Sequence, residues 1–136
     1  TKRSDRLKKI APGLNWTSNI WQGVTVENSS VSFRIDDLQK VPSSVRFLSC
    51  EPLIGPIDKV CLDNINWVIV GGESGFGARP MKKEWVISIR NQCIEHDIPF
   101  FFKQWGGVQK HRNGRILDGR TWDEYPEYST DSPAFF

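Results

Sequence analysis

An uninterrupted apolar run, Trp67-Val68-Ile69-Val70, passes directly into Gly71-Gly72-Glu73-Ser74-Gly75-Phe76-Gly77-Ala78-Arg79-Pro80, and this junction narrows the folds open to the chain. Apolar residues in a row, bounded by turn residues, suit a strand covered on both faces, as in a parallel sheet packed between helices. The glycines that follow require a loop, and they let backbone bend sharply or approach a ligand closely around Glu73. In α/β proteins ligands gather at the carboxyl ends of strands, so the position marks a site. The competing assignment, a tight turn with a solvated acid, is evenly matched on the local residues alone.

The same strand-then-turn pattern recurs along the chain. Ser4 is placed to cap a short helix with Leu7 and Ile10 on its apolar face and Lys8 and Lys9 on its wet face, stopped by Pro12-Gly13. Ile20 to Val26 reads as a strand that delivers Glu27 and Asn28 at its carboxyl end. Asn28, Ser29 or Ser30 then caps a helix reaching Leu38, with Val31, Ile35 and Leu38 on one face, before Pro42. Val45 to Cys50 is the next strand and ends in Glu51-Pro52; Leu53 to Ile65 is a Pro- and Gly-punctuated connection with room for one helical turn. After the glycine loop a helix runs from Lys82 to His96, with Trp85, Val86, Ile89 and Cys93 in a stripe. Pro99 to Phe102 is a fourth strand, ending in Lys103-Gln104-Trp105-Gly106-Gly107. Beyond Val108 the regularity fails. Arg112-Asn113-Gly114-Arg115 reads as a turn between Val108-Gln109-Lys110 and Ile116-Leu117, Asp118-Gly119 as a second turn, and Ser129 to Phe136 is expected to be poorly ordered. The chain thus divides into a βα-repeat domain, residues 1–107, and an irregular extension, residues 108–136, packed on it.

Strands alternating with crossovers predict an α/β fold with a mostly parallel sheet of four strands. All strand ends then point one way. Glu27, Glu51, Glu73 and Lys103, each next to a strand end, converge on one rim with Asn28, Gly71, Gly72, Ser74 and Gln104. This is the candidate cofactor- or substrate-binding set. Acids at such turns also cap the following helices, a role that Glu27 with Asn28 could fill; the general rule for α/β sheets favours the shared site.

A length of 136 residues with 38% hydrophobic content suits one domain with its own core. The net charge of +2 is small and scattered, and neither implies nor excludes a polyanionic partner. Cys50, Cys61 and Cys93 lie too far apart for a disulfide framework or a metal knuckle. They read as small apolar residues of a reducing compartment, so the expected location is the cytoplasm. No stretch has the length and apolarity of a membrane span or the core of a signal peptide. The 6 tryptophans are expected at core and boundary positions rather than on a base-stacking platform. The opening Thr1-Lys2-Arg3, with no methionine, reads as the start of a piece of something longer.

Five motifs in order carry a resemblance: Trp21-Gln22-Gly23-Val24-Thr25-Val26-Glu27-Asn28, Arg46-Phe47-Leu48-Ser49-Cys50-Glu51-Pro52-Leu53-Ile54-Gly55-Pro56, Trp67 to Gly75, Phe100 to Gly107, and Leu117-Asp118-Gly119-Arg120-Thr121-Trp122. From Thr1 to Pro126 the chain resembles the carboxyl-terminal half of an uncharacterised phage-associated protein family. Longer members of that family carry a three-cysteine motif like that of radical S-adenosylmethionine enzymes. The resemblance implies the later half of a partial (β/α) barrel of radical-SAM type, with Thr1-Lys2-Arg3 ending an earlier strand. It further implies Glu27 or Glu51 at the ribose or methionine amine of adenosylmethionine, close backbone approach at Gly71, Gly72 and Glu73, and Lys103 with Gln104 at substrate. The cysteine triplet itself is lacking here, so the iron-sulfur cluster and adenosylmethionine are expected only in a longer parent, and this chain alone is expected to be inactive. Its expected partners are the missing N-terminal half or a second copy paired through the exposed sheet edge.

Two other classes compete. A non-catalytic module could bind nucleic acid through Lys103, Trp105, Lys110, His111, Arg112, Arg115 and Arg120, although charge runs in loops are usually solvated surface. A hydrolase is weaker, because His96 and His111 complete neither a Ser-His-Asp set nor a metal-hydrolase set.

Overall fold

A computed structural model describes residues 1–127. Strands β1 (Trp21–Thr25), β2 (Val45–Cys50), β3 (Trp67–Gly71) and β4 (Phe100–Gln104) form one sheet in the order β1-β2-β3-β4, with every pair parallel. Helix α1 (Ser4–Ile10) precedes β1, α2 (Phe33–Gln39) connects β1 to β2, α3 (Lys83–Glu95) connects β3 to β4, and a four-residue helix, α4 (Lys110–Asn113), follows β4. The expected α/β class with a four-stranded parallel sheet is therefore present. Strand order never reverses, so no switch point of the doubly wound kind occurs among these strands.

Pleating sorts the strand residues into two faces. Val24, Leu48, Cys50, Val68, Val70, Phe100 and Phe102 share one face and are fully or almost fully buried. Ile35 and Leu38 of α2 and Val86, Ile89 and Cys93 of α3 pack against this face in a single core. A small internal gap is bounded by Ile35, Ile89, Leu48, Cys50, Val68 and by Ile57, Val60 and Leu62, so α2, α3 and the β2–β3 connection all cover the same side. That connection contains no helix; instead of the expected helical turn it sends Leu53, Ile57, Leu62 and Ile65 into the core.

The opposite face carries Trp21, Gly23 and Thr25, then Val45, Phe47 and Ser49, then Trp67 and Ile69, then Phe101. Trp67 is its centre, with ring centroids 6.1 Å from Trp21, 5.9 Å from Phe47, 6.1 Å from Phe101 and 5.2 Å from Tyr125. The Trp21 and Phe101 pairs are edge-to-face and the Phe47 and Tyr125 pairs tilted, and aromatic pairs of this kind contribute about 0.5–1.5 kcal/mol each beyond area burial. From the extension, Tyr125 and Arg115 reach over this face, the Arg115 guanidinium 5.3 Å from the Phe101 ring centroid, while α2 and α3 pack on the other. The expectation that β3 is buried on both faces is thus corrected: Trp67 and Ile69 are half-buried.

Smaller corrections have clear causes. Ser4 does not cap α1; Arg3 holds that position, and the buried Ser4 hydroxyl instead donates to Asp37 Oδ2 at 2.8 Å, tying α1 to α2. Ile10 faces outward at 43% exposure, because the core side of α1 is filled by Leu7 and Ala11. Of the turn expected at Arg112 to Arg115, Arg112 and Asn113 belong to helix α4, and the chain leaves the helix through Gly114 at φ 64°. Asp118 and Gly119, with φ of 49° and 80°, do turn the chain between Leu117 and Arg120. The expectation for Ser129 to Phe136 lies outside the described residues.

The two sheet edges differ. Asp123 bridges Phe101 in antiparallel sense, with Phe102 N donating to Trp122 O at 2.9 Å, so the extension covers the β4 edge. At the β1 edge, the Thr1 ammonium donates to Gly23 O at 3.0 Å and Thr25 N donates to Thr1 O at 3.0 Å. That pair is the hydrogen-bond pattern of a parallel ladder with Thr1 opposite Val24.

Beyond their last residues β3 and β4 stay in backbone contact, which only glycine permits. A Cβ on Gly72 would lie 1.9 Å from Trp105 O, and one on Gly106 2.3 Å from Glu73 O. Gly72→Ala forces the two chains apart and is expected to cost about 2–3 kcal/mol, read as a lower urea midpoint at unchanged slope.

Candidate functional site

The carboxyl ends of all four strands lie at one end of the sheet, and the residues there fall into three groups. The first is built around a bulge. Register runs Val70 opposite Phe102, then Gly71 opposite Gln104, so Lys103 is the extra residue. An extra residue reverses the alternation, and both Lys103 and Gln104 can then turn toward the same neighbours. Lys103 Nζ donates to Glu51 Oε2 at 3.0 Å, and Gln104 Nε2 donates to Gly72 O at 3.1 Å. A Cβ on Gly71 would lie 3.3 Å from both Gln104 Nε2 and Glu51 Oε2, so bare backbone forms the floor between them. The expectation that Lys103 and Gln104 follow the strand is corrected: β4 extends through both. Glu51 leads into a cis peptide bond to Pro52.

Glu27 forms the second group. It is buried, with Arg34 of α2 at 2.9 Å and Lys2 at 2.6 Å. Burial alone would raise its pKa, but the hydrogen bond from Lys2, backbone donation and the fields of Lys2 and Arg34 outweigh this and hold it below the usual value. Arg34 also donates to Thr25 O at 2.8 Å, closing the end of β1. Asn28 points elsewhere: its Oδ1 accepts from Ser30 N at 2.9 Å and caps the 3-10 turn Ser29–Val31. The capping role holds for Asn28, whereas Glu27 is an ion-pair centre.

Glu73 and Ser74 form the third. Arg79 Nε and NH2 grip the Glu73 carboxylate at 2.9 and 2.8 Å, and Arg79 N donates at 2.8 Å. This clamp closes the glycine loop and holds the Glu73 carboxyl down at about 2. Ser74 pairs with Gly107 in a backbone bridge. The groups share one electrostatic neighbourhood: Glu27 helps hold Arg79 protonated, behind the dominant effect of Glu73. Burial pushes the Cys50 thiol far up, and the charges of Glu51 and Glu27 add to it.

Residues 1–126 match the family described as proteins of unknown function, DUF5131. The chain belongs to that family. No curated protein and no solved structure matches it. For this DUF5131 chain the bulge group is therefore read from its own geometry.

Lys2, Arg34 and Arg79 escape the sequence reading. Only Arg79 left a signal there, as the one cation within the glycine loop. Of the basic and aromatic residues weighed for nucleic acid, Lys103 pairs with Glu51, Arg115 with Asp123, and Arg120 lies 3.8 Å over the Trp122 ring. Trp105 packs on Phe102 and donates from Nε1 to Ile116 O. His96 Nδ1 lies 2.8 Å from Gln92 O at the end of α3. Cys50 and Cys93 are buried and Cys61 is exposed, and burial pushes the Cys93 thiol up to about 12. Among the described residues, no three His, Cys, Asp or Glu side chains group as a metal set, and no helix is long and apolar enough to cross a membrane.

Because the folded-state pKa of Glu73 is depressed, the clamp is intact above the ordinary glutamate value and is lost as pH falls through about 2. Carboxyl carbon NMR is expected to place the Glu73 midpoint there and, in Arg79→Ala, to return it toward the ordinary value of 4.5.

Proposed function

We propose that this chain is the later half of a radical-SAM-like (β/α) barrel and that its strand-end rim binds the polar part of a cofactor or substrate at Glu51, Lys103 and Gln104. The observation that carries the reading is the bulge: it sets Lys103 against the Glu51 carboxylate and brings the Gln104 amide, donating to Gly72 O, to the other side of the bare backbone of Gly71. Sequential parallel strands with their coverings on one face are what a barrel wall requires, and the phage-associated family with radical-SAM-like longer members supplies the same expectation.

The residues fit adenosylmethionine better than they fit a cluster. Glu51 can accept ribose hydroxyls or an amino group, Gln104 can both donate and accept, and Lys103 can meet a carboxylate. The cysteines lack cluster spacing, with two buried and one exposed, so a cluster would have to be held by another part of the protein. Bound beside such a cluster, adenosylmethionine supplies the radical chemistry; this chain's residues bind and orient. Three unpaired thiols suit a reducing compartment such as the cytoplasm.

The partner belongs to the same reading. Thr1 already addresses β1 in parallel register, and the alternation leaves the Gly23 N–H on that outer side. A preceding parallel strand of the parent protein would continue this ladder, and pairing of two copies through the edge is the competing arrangement. In amide exchange, Gly23 is expected to exchange faster in this chain than in a form extended upstream of Thr1. Equal protection in both forms, or light scattering that gives a stable dimer of this chain, would count against the upstream strand.

For the rim, titration calorimetry with adenosylmethionine on the extended protein is the direct test. Glu51→Gln is expected to weaken binding by roughly tenfold or more, as loss of a charge-assisted hydrogen bond should, whereas Glu73→Gln leaves affinity nearly unchanged. Unchanged affinity in Glu51→Gln and in Lys103→Ala would remove the assignment.

A further inference from the structure

Beside the glycine loop, an open cleft of about 640 Å³ lies between Ser74-Gly75 and the segment of residues 108–112 that enters α4. Its lining is Ser74, Gly75, Val108, Gln109, His111 and Arg112, and it contains no acid. Arg79, Arg90, Lys103 and Arg115 each face a carboxylate, whereas the cation in this cleft faces none among the described residues. The Arg112 and His111 side chains make no hydrogen bond, ion pair or ring contact among the described residues, and neither do the Ser74 hydroxyl and the Gln109 amide. One wall is held by backbone rather than by side chains: Gly107 N donates to Glu73 O at 2.6 Å and Gly75 N to Gly107 O at 3.2 Å. Asn113 Nδ2 donates to Gly106 O at 2.6 Å, tying the other wall to the same strand end.

From this geometry we infer that the cleft is a subsite for a phosphate group. A guanidinium, an imidazole, a hydroxyl and an amide, exposed along one acid-free recess and without side-chain partners among the described residues, supply a donor set suited to a tetrahedral oxyanion. The site is independent of the Glu51 group and stands whether or not that group binds adenosylmethionine. Free nucleotides and the backbone of a nucleic acid both present this chemistry.

The test titrates the isotope-labelled chain with inorganic pyrophosphate and follows backbone amide shifts. The expected result is saturable movement at Ser74, Gly75, His111 and Arg112, with affinity reduced roughly tenfold or more in Arg112→Ala and largely retained in Arg112→Lys. Since the Arg112 side chain has no partner among the described residues, Arg112→Ala should keep the wild-type spectrum elsewhere. A parallel titration with a single-stranded oligonucleotide separates the two sources. Tighter binding than pyrophosphate, with a salt slope that falls by about one in Arg112→Ala, identifies a nucleic-acid backbone. Binding no tighter than pyrophosphate identifies a small phosphorylated ligand. The absence of saturable shifts at these amides, or wild-type affinity in both Arg112→Ala and His111→Ala, overturns the inference.

Discussion

The coverings of this parallel sheet all return to one face, and most other features follow from that constraint. Parallel strands need crossovers long enough to run back along the sheet, and each crossover must bury its own apolar side. Here α2, the β2–β3 connection and α3 do so against Val24, Leu48, Cys50, Val68, Val70, Phe100 and Phe102. The remaining face has its own side chains and, from the extension, Tyr125 and Arg115. Trp67 answers by touching Trp21, Phe47, Phe101 and Tyr125, which orders large rings without enclosing them. The same winding places every strand end on one rim, so the site and the aromatic face have a common origin.

The rim is refined by departures from regularity. Were β4 regular, Lys103 and Gln104 would point to opposite faces of the sheet. The extra residue at Lys103 breaks that alternation where Gly71 replaces a side chain that would press on Glu51 and Gln104. Just beyond, Gly72 and Gly106 allow two backbones to touch, and this contact anchors the loop carrying Glu73 and Ser74. Bulge, bare floor and anchored loop lie within a few residues of one another along β3 and β4.

Much of this was legible in the sequence because it rests on local signals. The strand at Trp67 to Val70, the stripe Trp85-Val86-Ile89-Cys93 and the Asp118-Gly119 turn are each short-range patterns, and all three form, although the strand is enclosed on one face only. The convergence of strand ends was also legible, since it follows from parallel order alone. What escaped depends on tertiary neighbours. Ser4 looks like a cap until Asp37 arrives from α2, and Glu27 looks like a capping acid until Arg34 and Lys2 reach it. A bulge leaves no mark in composition, because it is a property of the pairing between β3 and β4.

The three rim acids look alike in sequence and differ in what a ligand would have to displace. Glu73 is held by three donors from one arginine, two of them in a fork whose geometry matches the carboxylate, so a ligand would have to replace the whole set. Glu27 is buried between two cations, and freeing it would strand a charge out of water. Glu51 has one charged partner, the half-exposed Lys103, at 3.0 Å. An exposed pair of that kind holds its members together by about 0–1 kcal/mol, little enough for an incoming hydroxyl or amine to take the carboxylate while a ligand carboxylate takes the lysine. In the proposed site, exchangeable partners, rather than proximity to a strand end, favour Glu51 and Lys103 as the recognising pair, with Glu27 and Glu73 tied into the structure of the rim.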